Sequence, residues 1–505
     1  MSAGNAMHTL FKRILCRLIL PVAACQLACM SPAHAATDCS LLLDLDIAEV
    51  QIQQAELIAK PAPHCKATGV IGRNIGFSVW LPHAWNGRFV MGGAGGFVRP
   101  EDNHALRLLG DSVITRGFAT ASTDTGHTGG GQESSWALND LEAIVNYGHL
   151  GMHRAVVASK AVINRYYAQR IGKSFFFGCS NGGRQALHEA QRYPGDFDGI
   201  VAGAPALNWT GNAGAFVNIV QHMLPDPSNL GTALVTPDDR RLLRDAIETQ
   251  CDALDGLRDG ILHDPNACKF DAATLQCDVH QTSGCLSKQK IAAIQSVYQG
   301  PKHSGGPLFF GFPFGAEDVN VNGWGSWLTD GPPEGGVNAA FNFGVGIMRN
   351  FVYHDPNWDY TTYDWERFRR DVEPVANVLN ADNPDLSAFR AQGGKLLMYH
   401  GWADVALTAH MSTDYVDRVY ATDSNARADV RLFMMPGVLH CYNGRGPSVV
   451  DWLQVLESWH DDGRPPQHLA ARYPDREGAR KLCAWPAQAR YQGGDRDTPD
   501  AYTCK

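Results

Sequence analysis

An α/β fold built on a mainly parallel sheet is predicted by three features of this sequence. Short apolar runs with strand character recur at 76–81, 88–91, 118–122, 174–177 and 200–203. Helical segments alternate with them: 152–171 has apolar residues three and four apart, and 184–193 is ended by Pro194. After a long interruption the buried-strand pattern returns at 395–399 and 430–434. Strands that alternate with helices imply parallel pairing and helices on both faces of the sheet.

The elements follow in order from the start. Lys12, Arg13 and Arg17 precede an apolar run, 18–30, and Ala33-His34-Ala35 supplies the small residues of a cleavage site. This reads as a signal peptide, 1–35, with export to the periplasm or outside the cell. A lipoprotein box ending at Cys25 is the minor alternative. Cleavage removes three positive charges, so the formal charge of −9 becomes −9 − 3 = −12. That sign argues against a nucleic-acid surface. No later run is long and apolar enough to span a membrane. Residues 36–204 form the first part of the core and 387–505 the second. Between them, 205–386 is rich in Gly, Pro, Asp, Asn and Trp and reads as an inserted lid.

Gly178-Cys179-Ser180-Asn181-Gly182 sits between an apolar strand and a helix. A serine there is presented on a sharp turn at the head of a helix, where developing negative charge is favoured, and small flanking residues permit the crowding. Without the flanking elements the same letters would be an ordinary glycine turn. A serine hydroxyl needs a base, and in the α/β-hydrolase arrangement the acid and then the histidine follow on loops after later strands. Asp404 follows the strand at 395–399 and His440 the strand at 430–434. Ser180, Asp404 and His440 are therefore the candidate catalytic triad. His400 precedes the acid too closely to be its partner and is expected to border the substrate pocket. His127 is expected to be a structural loop residue. The oxyanion donors are expected to be the amides of Asn181 and, in the glycine run 92–96, Gly95.

Ten of the 13 cysteines lie beyond the leader, an even number that suits disulfides in an oxidising compartment. Cys39/Cys65, Cys251/Cys268, Cys277/Cys285 and Cys483/Cys504 are plausible local pairs. Cys179 and Cys441 remain, one beside the nucleophile and one beside the base. They can bridge if Ser180 and His440 meet; a free buried Cys179, or Cys179 as nucleophile, is the alternative. The lid carries Asp252, Asp255 and Asp259 among glycines, with the carbonyls of Leu257 and Ile261 nearby. This spacing suits either a calcium loop or a solvated acidic turn.

Assembled, these residues resemble the tannase and feruloyl esterase family, which includes mono(2-hydroxyethyl) terephthalate hydrolase. The marks are the run 178–184 (GCSNGGR), the run 198–205 (DGIVAGAP), His400-Gly401-Trp402-Ala403-Asp404 and His440-Cys441. The resemblance implies an α/β-hydrolase core with a lid that shapes the acyl pocket. It also implies a bridge between Cys179 and Cys441, and a structural Ca2+ held by Asp252, Asp255, Leu257, Asp259 and Ile261. The expected activity is hydrolysis of small aromatic esters (feruloyl or galloyl) through an acyl-enzyme; a terephthalate monoester is the alternative acyl class, and a catalytically silent binding protein the remote one. Trp324, Trp327, Phe341, Phe343, Phe351 and Trp358 of the lid could wall an aromatic acyl group, and Arg349 could read a carboxylated one.

Overall fold

In the computed structural model, residues 38–98, 103–281, 283–331 and 336–505 are described. The expected leader, its cleavage site and Cys25 lie outside them. From residue 88 onward the runs that form the main sheet are nearly continuous apolar stretches, as a sheet covered on both faces requires, whereas the run 50–58 is mostly polar and exposed. They form β1 (Val50–Ile58), β2 (His64–Ile71), β3 (Ile75–Pro82), β4 (Arg88–Gly92), β5 (Ala119–Thr123), β6 (Lys173–Cys179) and β7 (Gly199–Gly203). The short pair β8 (Lys302–His303) and β9 (Gly306–Pro307) precedes β10 (Lys395–Gly401) and β11 (Val430–Met435).

Nine of these make one sheet in the order β1-β2-β3-β5-β4-β6-β7-β10-β11. Pairing is antiparallel from β1 to β5 and parallel from β5 through β11. The alternation of side chains along β6 feeds both layers. Phe176 enters the larger core beneath the helices Gly151–Tyr166 and Asn181–Arg192, while Phe175 and Phe177 enter the core beneath Trp452–Asp462. No strand of the main sheet comes from the chain between β7 and β10, which is chiefly helical, with long segments at Trp209–Met223, Pro237–Cys251, Lys288–Gln299 and Phe368–Leu379.

This topology locates the site. From β4 the chain steps outward to β5 on one side and, after the helix Gly151–Tyr166, to β6 on the other. The carboxyl ends of β4 and β6 therefore flank a crevice where strand order reverses, and Gly92 pairs with Phe177 there. The glycine run leaves β4 at that point, and Ser180 leaves β6.

Candidate active site

Ser180 is held at φ 66°, ψ −128°, a conformation costly for a residue with a Cβ. Its neighbours show how the chain enforces it. A Cβ on Gly178 would lie 2.2 Å from Gly182 O, and one on Gly183 2.5 Å from Gly203 O. A Cβ on Gly182 would meet the Gly93 carbonyl at 2.8 Å. The elbow and the glycine run are thus packed backbone against backbone. Side chains lock them further: Asn181 Nδ2 donates to Ala94 O at 3.0 Å, and Ala94 N–H donates to Gln185 Oε1 at 3.0 Å. Arg184, fully buried, braces Asn181 through Nε at 2.8 Å and reaches the carbonyls of Tyr147, Gly148 and Leu379.

Gly93 gives its amide to Phe177 O and Ala94 gives its own to Gln185, so Gly95 is the first amide of the loop with no acceptor among the described residues. The Asn181 amide opens its helix, where amides have no intrahelical acceptor.

Asp404, wholly buried after β10, accepts from His440 Nδ1 at 2.8 Å on Oδ2 and from the Ala406 and Leu407 amides at 2.8 and 3.0 Å on Oδ1. Burial alone would push its carboxyl up. The two histidines on it outweigh that and hold it below the ordinary carboxylate range. An ionised acid on Nδ1–H leaves His440 Nε2 as the basic nitrogen. The ring lies edge-on to Trp327, with centroids 5.6 Å apart.

His400 does not border a pocket, contrary to expectation. It is completely buried behind Asp404, with Nε2 3.1 Å from Asp404 Oδ2 and 2.9 Å from Leu407 O. Nε2 faces two acceptors and so carries the proton, which leaves Nδ1 to accept from Ser412 Oγ at 2.8 Å. The motif spacing showed it close to the acid but not on which side. His127 is a loop residue: its ring stacks on Trp136 at 3.7 Å and Nε2 donates to Phe97 O.

All five disulfides join the expected partners: Cys39–Cys65, Cys179–Cys441, Cys251–Cys268, Cys277–Cys285 and Cys483–Cys504. Cys179–Cys441 brings the Cα atoms adjoining Ser180 and His440 to 6.0 Å across 262 residues of sequence. The lid side of the site is aromatic. Trp327 stacks on Phe343, Phe343 packs on Phe97 at 5.1 Å, and Phe97 meets Phe351, Tyr147 and Trp136, so the rings run from His440 to the glycine loop. Trp327 and Trp136 keep part of their surface exposed. Trp324 is instead fully buried core, and Phe341 and Trp358 pack on Tyr360 and Tyr353. Arg349 donates to Trp358 O and lies over Phe341.

In the acidic loop, Asp252, Asp255 and Asp259 each turn one oxygen to a backbone amide, of Gly260, Leu257 and Ile261 respectively. Gly256 and Gly260 take φ of 91° and 70°, as the tight winding needs. The donors are hard oxygens, the chemistry Ca2+ selects, although Arg480 Nη2 holds the second oxygen of Asp259 at 2.6 Å.

The comparisons with known proteins agree with this geometry. The family model described as "Tannase and feruloyl esterase" matches residues 61–505. A probable feruloyl esterase of Arthroderma benhamiae is 33% identical over 458 residues, covering 85% of this chain and 82% of that protein. The mono(2-hydroxyethyl) terephthalate hydrolase of Piscinibacter sakaiensis is 32% identical over 520 residues, covering 87% and 84%. The crystal structure of feruloyl esterase B from Aspergillus oryzae superposes with a TM-score of 0.81 at 25% identity, covering 92% of this chain and 98% of that one. Among the described residues no helix is long and apolar enough to cross a membrane. The family model over residues 61–505 and relatives above 30% identity thus place this chain, with its α/β-hydrolase sheet, in the tannase and feruloyl esterase family of carboxylic ester hydrolases.

Proposed function

We propose that this protein is an exported serine esterase that hydrolyses small esters of uncharged aromatic carboxylic acids, of the feruloyl or galloyl kind. Ser180 Oγ attacks the ester carbonyl while His440 Nε2 takes its proton and Asp404 stabilises the imidazolium. The amides of Asn181 and Gly95 receive the oxyanion. The alcohol leaves with the proton from His440, and water, activated by the same nitrogen, releases the acid from Ser180.

The observation that carries this reading is the Asp404–His440 pair fastened beside the elbow serine under an aromatic wall. The terephthalate alternative draws on the Piscinibacter relative, but Arg349, the arginine considered for a carboxylated acyl group, is engaged by Trp358 O and Phe341. A Ca2+ in the lid loop would have Asp252, Asp255, Asp259 and the carbonyls of Leu257 and Ile261 as ligands. Its charge would offset the clustered carboxylates and fix the loop.

The test is hydrolysis of methyl ferulate, methyl gallate and mono(2-hydroxyethyl) terephthalate by the wild type and Ser180→Ala, with and without EGTA. Turnover of ferulate or gallate, abolished in Ser180→Ala, is expected, together with a lower Tm in EGTA. Preference for the terephthalate monoester would overturn the acyl assignment. An unchanged Tm in EGTA would remove the metal.

A further inference from the structure

At the far end of the elbow helix from Ser180, about 14 Å along its axis, a second cluster of polar groups is buried. His153 stands in the first turn of the helix Gly151–Tyr166, Glu189 in the last turn of Asn181–Arg192, and Asp196 in the loop before β7. Each offers one ligand atom, and the three atoms all lie within 4.8 Å of one another. His153 Nδ1 is 2.6 Å from Asp196 Oδ2, and its ring is fixed by stacking on Tyr193 at 3.8 Å. Glu189 is 1% exposed, yet neither carboxylate oxygen has a hydrogen-bond donor among the described residues.

A buried carboxylate without a donor is costly, and a second carboxylate beside it raises the cost. Of the neighbouring cations, only the Lys160 ammonium acts on the two acids, and none donates to a Glu189 oxygen. Lys160 Nζ donates to the main-chain oxygen of Asp196, Lys173 pairs with Asp198, and Arg192 binds His188 and Asn377 O. His149 Nδ1 is taken by the Tyr193 hydroxyl. The helix also presents its negative end here. One Lys160 ammonium faces two carboxylates, and a shared proton or a metal ion between the acids would supply the remaining positive charge.

We propose that His153, Glu189 and Asp196 form a binding site for a divalent transition cation of the zinc type, separate from the acidic loop of the lid. One imidazole nitrogen and two carboxylate oxygens suit Zn2+; the ion would replace the proton of the 2.6 Å His153–Asp196 hydrogen bond, the two atoms parting to the roughly 3.3 Å of a tetrahedral edge. Ca2+ takes about six to eight oxygens, three to four times the two counted here. The side chains of His153 and Asp196 are 27% and 15% exposed, so water can reach the fourth position. The ion would pin the helix Gly151–Tyr166 to the helix that carries the nucleophile, a structural task remote from the chemistry.

The experiment is titration of Zn2+ into the EDTA-treated full chain held in excess Ca2+, read by calorimetry and by Tm, with no use of ester turnover. One equivalent bound with a rise in Tm is expected, weakened more than about 100-fold in Glu189→Gln, beyond what loss of a supporting partner causes. His153→Gln, at the more exposed edge, should show the same loss and serves if the glutamate variant does not fold. No stoichiometric binding by the wild type, or binding that both variants retain, would overturn the site in favour of a shared proton.

Discussion

Replacing Gly182 with alanine tests whether the elbow sets the catalytic geometry. The added Cβ would lie 2.8 Å from both the carbonyl carbon and the oxygen of Gly93. An ordinary carbon contact is about 3.5 Å, so one segment must retreat by roughly 0.7 Å. The elbow cannot give easily, because its helix packs on β6 and β7 and Arg184 anchors it from below. The displacement therefore passes into the glycine run, whose next residues carry the Gly95 amide. A shift near 1 Å at a reacting group costs on the order of 10²-fold in rate, or about 2.7 kcal/mol at the transition state. Stability should move far less. Alanine gains up to about 1 kcal/mol over glycine within a helix, which offsets part of the strain. We expect kcat/KM on the preferred ester to fall about 100-fold with Tm almost unchanged. A Gly182→Ala enzyme with more than half the wild-type kcat/KM would refute the claim that the contact between elbow and loop positions the oxyanion donors.

Three further outcomes follow from the geometry. His400→Gln removes a donor from a buried carboxylate, so kcat should drop about 10- to 100-fold with KM little changed. Steady-state kinetics that differ less than twofold would show that His400 merely fills space. Asp124, half-buried beneath Gly76 and Gly126, is pushed up to about 6 by desolvation against their two amide bonds. The folded state therefore holds its proton longer than the unfolded chain, and this group costs stability as pH rises from about 4 to about 6, by about 3 kcal/mol in all. Asp124→Asn should flatten that slope in denaturant titrations at several pH values; an identical slope would contradict the assignment. Cys179→Ala/Cys441→Ala opens a loop of 262 residues, for which chain entropy alone predicts a loss of about 5.5 kcal/mol. The expected result is a lower midpoint in guanidinium and loss of turnover, and retention of both would show the bridge to be dispensable.

The parts of the fold and site that could be read from the sequence are those whose signal is local. The runs of β4 to β7, β10 and β11 are apolar enough to announce buried strands, and the spacing of Ser180, Asp404 and His440 after three of them announces the order of the chemistry. The hairpin of β1 and β2 escaped because β1 is a sheet edge: in its sequence VQIQQAELI only Ile52 is buried, so no alternation shows. The expected helix 152–171 stops at Tyr166, while the elbow helix begins at Asn181, three residues before its apolar pattern does. In the segment between β7 and β10, the helix Trp209–Met223 is buried on almost every side and lacks the amphipathic period that would have marked it. The clamp of Asn181 and Gln185 on Ala94 has no sequence signal of its own; it exists only once β4 and β6 are neighbours. A Gln one helical turn beyond Asn181 was the single available hint.

The bridge beside the triad changes how the chain can be built and how it can vary. Along the backbone, Ser180 and His440 are separated by the whole segment between β7 and β10; along the bridge they are neighbours within two residues and a pair of sulfurs. Drift in the segment between β7 and β10 need not disturb the placement of His440 against Ser180. The same bond orders events during synthesis. A nascent chain that already holds its elbow cannot close this bond until Cys441, 262 residues later, has emerged.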